Sequence, residues 1–218
     1  MTITKKDVYE RQRTAMVGSQ LVGRGIKNKA VLDAMRIVPR HLFVDEAFAG
    51  QAYGDSPLPI GEGQTISQPY MVAAMIEALG LTGSERVLEI GGGSGYQTAV
   101  LAIVAWKVYS VERINRMAVK ARRILDGLHA SNVVIRIGDG TLGLPAEAPF
   151  DAIIVSAASP EVPEALTRQL AEGGALVMPV GGENKQSLVR ITKSGASLRR
   201  ETLAGCRFVK LVGKHGWQ

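Results

Sequence analysis

From Arg86 onward, five short apolar runs alternate with helical patterns, and no other feature of this 218-residue sequence limits its fold more tightly. The runs are Val87–Ile90, Val108–Val111, Val133–Ile137, Ala152–Val155 and Ala175–Met178, with helical stretches expected between successive pairs. Strands joined in this way by right-handed crossovers lie parallel, which predicts an α/β fold with a doubly wound, mostly parallel sheet. Such a sheet takes its ligands at the carboxyl ends of the strands. After Gly181 the pattern changes to Ser187–Thr192, Leu198–Leu203 and Phe208–Val212, separated by turns such as Lys193-Ser194-Gly195, and this predicts antiparallel strands closing one edge.

Before Arg86 lie a helical lead, roughly Lys5–Met35, and a Gly- and Pro-rich stretch from Tyr53 to Pro69 that reads as irregular. That stretch is too long for a plain connection, and loops of such length commonly serve as lids or substrate-binding segments. One domain over residues 1–218 is expected: a helical and lid segment to residue 80, a cofactor-binding core over 81–181, and antiparallel strands over 182–218.

Composition agrees with this plan. Hydrophobic residues make up 46% of the chain and aromatics only 5%, which suits β-strands packed closely between helices. No window reaches the roughly 18 uninterrupted apolar residues of a membrane span. The opening Met1-Thr2-Ile3-Thr4-Lys5-Lys6-Asp7 lacks the apolar stretch of a signal segment, so a cytoplasmic protein with no membrane partner is expected. The single cysteine, Cys206, offers no internal disulfide and reads as a buried or half-buried structural thiol.

The net charge of +6 raises the question of an anionic partner. Its densest basic stretch is Arg113, Arg116, Lys120, Arg122 and Arg123, interleaved with Ile114, Met117, Ala121, Ile124, Leu125 and Leu128 at helical spacing. The apolar stripe turns inward and leaves the charges in solvent, so a solvated helix face is expected and no nucleic-acid groove.

The run Val87-Leu88-Glu89-Ile90-Gly91-Gly92-Gly93-Ser94-Gly95 joins the first parallel strand to a helix, and there a ligand can approach the backbone and meet a positive helix end. Spacing narrows the ligand class. The dinucleotide fingerprint requires Gly at the sixth position, but Tyr96 stands there, while Gly91, Gly93 and Gly95 follow G-x-G-x-G. That pattern, with Glu89 two residues ahead, resembles the first motif of Rossmann-like S-adenosylmethionine-dependent methyltransferases. Glu112 ends the second strand, where a carboxylate can accept both ribose hydroxyls. Asp139 ends the third, where it can accept from an adenine amino group. Each acid alone commonly caps a turn, but three at successive strand ends beside a glycine loop favour the cofactor.

After the fourth strand comes Val155-Ser156-Ala157-Ala158-Ser159-Pro160 rather than the Asn/Asp-Pro-Pro-aromatic motif of enzymes that methylate bases, so nothing there stacks a flipped base. The stretch from Tyr53 to Tyr70, containing Gly61-Glu62-Gly63-Gln64-Thr65-Ile66-Ser67, closely resembles the protein-L-isoaspartate O-methyltransferase family. The likeness continues through Met16-Val17, Arg24-Gly25-Ile26, Val38-Pro39-Arg40-His41-Leu42-Phe43-Val44, Gly173–Gly181 and Gly213-Lys214-His215-Gly216-Trp217. It implies a repair enzyme that methylates the free α-carboxylate of L-isoaspartyl, and in some members D-aspartyl, residues of damaged proteins.

The same resemblance implies Ser67 as the active-site serine, with Gln64, Thr65, Ser67, Glu89, Gly91, Gly93, Gly95, Glu112, Asp139 and Gly140 at the cofactor. On the substrate side it implies Ile66, Ser67, Ala157 and Val212, and it implies a monomer. S-adenosyl-L-homocysteine would be the product, and no metal is expected, since His41, His129 and His215 show no ligand spacing.

Other readings stay open here. Ser67 is also placed to cap the helix containing Met71–Leu79, with Pro69 in its first turn. An RNA or small-molecule methyltransferase, or a non-catalytic adenosyl-binding module, would share the fold. Two positions depart from the family pattern: Gly92, where Thr is common and where the change should cost little, and Lys210, where Pro is frequent.

Overall fold

The computed structural model describes residues 5–218, with side chains from Val8 onward. The polar opening from Met1 to Thr4, and the expectation of no signal segment drawn from it, lies outside the described residues. Helix α1 (Lys5–Ala15) passes into a π-helical turn (Met16–Leu21) and a 3₁₀ turn (Val22–Arg24) before α2 (Lys29–Ile37). The helical lead is therefore broken: Gly25 adopts φ +94°, and Asn28 restarts the chain by accepting from the Val31 N–H.

The stretch read as irregular holds a hairpin. Strands β1 (Leu58–Gly61) and β2 (Gln64–Ile66) pair antiparallel around a turn in which Gly61, Glu62 and Gly63 all have positive φ. Strands this short, interrupted by Pro59, carry too little alternation to be recognised from the sequence. Helix α3 (Pro69–Leu79) follows directly.

The core then runs β3 (Arg86–Ile90), α4 (Tyr96–Val104), β4 (Lys107–Glu112), α5 (Asn115–Gly127), β5 (Val133–Ile137), β6 (Phe150–Val155), α6 (Glu164–Thr167), β7 (Leu170–Gly181), β8 (Gln186–Ser194) and β9 (Ser197–Cys206). These strands form one seven-stranded sheet in the order β5-β4-β3-β6-β7-β8-β9, parallel from β5 to β7 and antiparallel beyond. The chain steps outward from β3 through β4 to β5 and then crosses back, so that β6 lies on the opposite side of β3. The glycine loop therefore lies at a reversal of strand order, where doubly wound sheets bind ligands.

Side chains alternate across the sheet. In β6, Ala152 and Ile154 face one core with the N-terminal helices, while Ile153 and Val155 face the other. Both faces are therefore apolar, as buried parallel strands require.

Two further expectations need correction. No α-helix joins β5 to β6; the chain makes two 3₁₀ turns, Gly140–Leu142 and Pro145–Glu147, because Gly140, Gly143, Pro145 and Pro149 break any helical run. Phe208–Val212 is not a strand of the sheet. Gln186 holds Phe208 through both its amide nitrogen and its amide oxygen, and the chain then leaves β9 to bridge Ala158 through Val209 O and Leu211 N–H. That detour brings the C-terminal tail over the strand ends.

Candidate active site

A cavity of about 370 Å³ opens at the carboxyl ends of β3, β4 and β6. Its walls are the glycine loop, the segment from β2 into α3, the end of β4, Ser156 and Ala157 after β6, and the tail from Val209 to Val212. It therefore gathers pieces that lie far apart in sequence. Of the residues implied at the site, Gln64, Thr65, Ile66, Ser67, Gly91, Gly93, Glu112, Gly140, Ala157 and Val212 all line it.

The loop owes its shape to backbone freedom at two positions. Gly91 and Gly93 have φ +82° and +55°, which keeps the floor of the cavity free of side chains. Gly95, at φ +87°, serves packing instead: a Cβ there would stand 3.0 Å from the Ala121 Cβ, so its hydrogen lets α5 close against the loop. Glu112 lines the cavity, its carboxylate accepting from the Gly93 N–H at 2.9 Å and the Ile114 N–H at 2.8 Å. These bonds fix its direction.

Glu89 and Asp139 stand off the cavity. Glu89 is fully buried beneath the loop and accepts from the Gln97 amide (3.1 Å), the Thr98 hydroxyl (2.5 Å) and the Ser110 hydroxyl (2.7 Å). Burial pushes its carboxyl above the usual range, against the pull of those three donors. Its carboxylate is spent on tying β3 to α4 and β4. Asp139 accepts from the Thr141 N–H and hydroxyl, and from the Lys214 N–H at 2.8 Å. Burial works to raise its pKa, but the Lys214 and Thr141 donors outweigh it and hold Asp139 below the usual carboxylate range. It anchors the tail, so among the β5-end residues it is Gly140 that faces the cavity.

Ser67 does not cap α3. Gln68 occupies that position and no side chain bonds there; the helix starts instead with Pro69. The serine is half-buried in the cavity wall, and its carbonyl oxygen accepts from Arg40 at 2.7 Å. The sequence assigned no site role to Arg40, a cation with no exposed surface, or to Tyr96 and Gln97 in the cavity wall.

The histidines stand apart. His41 stacks on Tyr9 and shares a hydrogen bond with the Tyr53 hydroxyl, and burial lowers its pKa. Among the described residues no group of His, Cys, Asp and Glu is arranged to hold a metal. Half-buried Cys206 has its thiol pushed up to about 11 by burial, which makes it a poor nucleophile.

The two departures from the family pattern have local explanations. A Cβ on Gly92 would lie 2.4 Å from the Ser110 hydroxyl, so a side chain there displaces a donor to Glu89 and is less free than expected. At Lys210 the bridge to Ala158 runs through the neighbours' backbone groups, and the lysine instead pairs with Glu183 and lies 4.8 Å from the Trp217 ring centroid.

Comparison with known proteins converges on one family. The profile described as protein-L-isoaspartate(D-aspartate) O-methyltransferase matches residues 11–216. Relatives named protein-L-isoaspartate O-methyltransferase include one from Geobacter metallireducens, 60% identical over 96% of this chain and 97% of its own. Another, from Trichlorobacter lovleyi, is 57% identical over 96% of this chain and 97% of its own. A solved protein-L-isoaspartate O-methyltransferase superposes with a TM-score of 0.86 at 31% identity, over 94% of this chain and 67% of that one. A Plasmodium falciparum chain described by the same name, in complex with S-adenosyl-L-homocysteine, gives 0.78 at 27% identity, covering 92% and 98%. The matched span runs from within α1 through the glycine core to Gly216 in the C-terminal tail, and the chain belongs to the protein-L-isoaspartate(D-aspartate) O-methyltransferase family.

Proposed function

We propose that Ser67 positions the isoaspartyl carboxylate, that Glu112 and the loop from Gly91 to Gly93 hold the cofactor, and that Ile66, Ala157 and Val212 form the substrate side of the cavity. The family reaction is methyl transfer from S-adenosylmethionine to L-isoaspartyl residues of damaged proteins, a repair activity. The observation that carries the residue assignment is that Ser67 and the glycine loop, 24 or more residues apart in sequence, line one cavity.

The residues present suit the cofactor. Gly91 and Gly93 leave their stretch of wall bare to the backbone, and the fixed Glu112 carboxylate is an acceptor of the kind that ribose hydroxyls require. S-adenosylmethionine supplies, when bound, a sulfonium methyl as electrophile. The isoaspartyl α-carboxylate, with an ordinary pKa of about 3.5, is ionised at neutral pH and needs no general base. In keeping with that, among the described residues no histidine or cysteine lines the cavity. What remains for the protein is placement: holding one carboxylate oxygen in line with the methyl group is worth on the order of 7 kcal/mol. A serine hydroxyl can donate to the other oxygen while leaving the attacking one free. One oxygen–carbon bond forms, one sulfur–carbon bond breaks, and no proton moves.

Arg116 and Lys120 pair with Glu62 and Asp45, which supports a solvated face on α5 and no nucleic-acid partner. Among the described residues no helix is long and apolar enough to cross a membrane, and a cytoplasmic enzyme accords with that.

Labelled S-adenosylmethionine offered with peptides that differ only in Asp or isoAsp linkage tests the reading, with base-labile methyl ester as the signal. Ser67→Ala is expected to lower kcat on the isoAsp peptide by roughly 10- to 100-fold while leaving affinity for S-adenosyl-L-homocysteine intact. Equal loss of both, or no preference for the isoAsp peptide, refutes it.

A further inference from the structure

We propose that Arg40 is a positioning residue for the reaction: its guanidinium holds the Ser67 main chain in place and thereby sets where the serine hydroxyl meets the substrate carboxylate. The proposal rests on the role of Ser67 given above.

Arg40 has no exposed surface, which is rare for a cation and costly unless its donors are used. Nε donates to the Ala52 carbonyl at 2.7 Å, and one terminal nitrogen, Nη2, donates to the Ser67 carbonyl at 2.7 Å. Cζ lies 4.7 Å from the centre of the Tyr96 ring. Nη1 is buried with no hydrogen-bond partner among the described residues. The guanidinium therefore spans three parts of the molecule at once: the residues ahead of the hairpin, the segment between β2 and α3, and the first residue of α4 beyond the glycine loop. Ser67 and Tyr96 both line the cavity.

Nothing local does this work. The helix cap after Ser67 makes no side-chain bond, and the Gln68 side chain turns away to Asp55. Bonds from a charged donor to a carbonyl are roughly twice as strong as neutral ones, and the rigid fork of arginine reaches two carbonyls that a lysine ammonium on a flexible stem does not. Burial lowers the Arg40 pKa to about 10, so the group stays charged across the neutral range. A buried cation kept without a carboxylate partner for packing alone would be poor economy, since an apolar side chain fills such a space without the desolvation cost.

The test is a double-mutant cycle on the full-length enzyme, with kcat on an isoaspartyl peptide, KM and affinity for S-adenosyl-L-homocysteine measured for each variant. Arg40→Lys is expected to lower kcat on the order of 10-fold or more, because small misplacements of a reacting group are costly, with cofactor-product affinity unchanged. In the Ser67→Ala background the same change is expected to cost less than about 2-fold, since there is no hydroxyl left to misplace. Arg40→Gln, which keeps one donor and loses the charge, is expected to fall at least as far. An equal cost of Arg40→Lys in both backgrounds overturns the proposal, as does full activity of Arg40→Lys. A negligible effect of Ser67→Ala alone sinks the serine assignment instead, so the two failures are distinguishable. A measurement on the unmodified enzyme covers variants that do not fold: in arginine-labelled protein, the Arg40 Nε proton is expected to exchange with water far more slowly than that of exposed Arg116. Equal exchange rates overturn the proposal.

Discussion

Replacing Gly92 by alanine puts a methyl group where the Ser110 hydroxyl now stands, with 2.4 Å between the two atoms. Gly92 is not among the glycines with positive φ, so the cost does not come from backbone strain. It comes from the hydroxyl, which must rotate away and abandon its 2.7 Å bond to the buried Glu89 carboxylate. Losing a hydrogen bond to a charged acceptor costs about 2 kcal/mol. For a protein of this size that lowers Tm by roughly 4 to 8 °C. Ser110→Ala removes the same bond and is expected to cost about as much. Combining the two should cost no more than Ser110→Ala alone, because the new methyl group then enters the space that the hydroxyl has vacated. Gly92→Thr should be milder than Gly92→Ala: the Cβ position is 3.7 Å from a Glu89 oxygen, so the new hydroxyl can replace the lost donor. Thermal or urea unfolding of the four proteins decides the matter. Additive losses in the double variant would refute the argument, since they would mean that Gly92 and Ser110 do not compete for one space.

The other predictions concern the cofactor, the tail and the rim. Glu112→Ala should weaken S-adenosyl-L-homocysteine binding by roughly 10- to 100-fold, the loss of a charged acceptor, while Glu112→Gln should retain part of it; calorimetry reads both. The depressed pKa of Asp139 means that its stabilisation is complete above the ordinary carboxyl pKa of 3.8 and is lost as pH falls through its lower folded value. Melting curves of wild type taken across that acid range should therefore fall more steeply than those of Asp139→Asn. Lys210→Pro should fold and turn over nearly as well as wild type, because the bridge to Ala158 does not use the Lys210 N–H and an exposed ion pair is worth about 1 kcal/mol or less; a large loss of Tm would show that the backbone there is not free.

Much of this protein is local, and the local part was legible in the sequence. The parallel strands announced themselves as apolar runs because both faces of the sheet are buried, and the glycine loop was visible because only glycine tolerates its φ values. Glu112 could be placed because a residue's position at a strand end follows from the strand itself. Where expectations failed, the deciding contacts were distant. Strand form at Phe208–Val212 was overridden by the amide of Gln186, 22 residues away. Asp139 keeps its place at the end of the third strand, and its bond to Lys214, 75 residues away, is one that the sequence did not show. Glu89 sits two residues before the loop, yet its partners on α4 and β4 turn it into the loop's support rather than part of the cavity wall. Arg40 stands inside the Val38–Val44 stretch of the family likeness, yet nothing in that stretch gives it a role. Its place behind Ser67 exists only because the hairpin, α3 and α4 fold around one buried guanidinium whose hydrogen bonds span 12 and 27 residues. Periodicity and backbone freedom are properties of short segments, whereas the partner of a buried polar group is chosen by the whole packed chain.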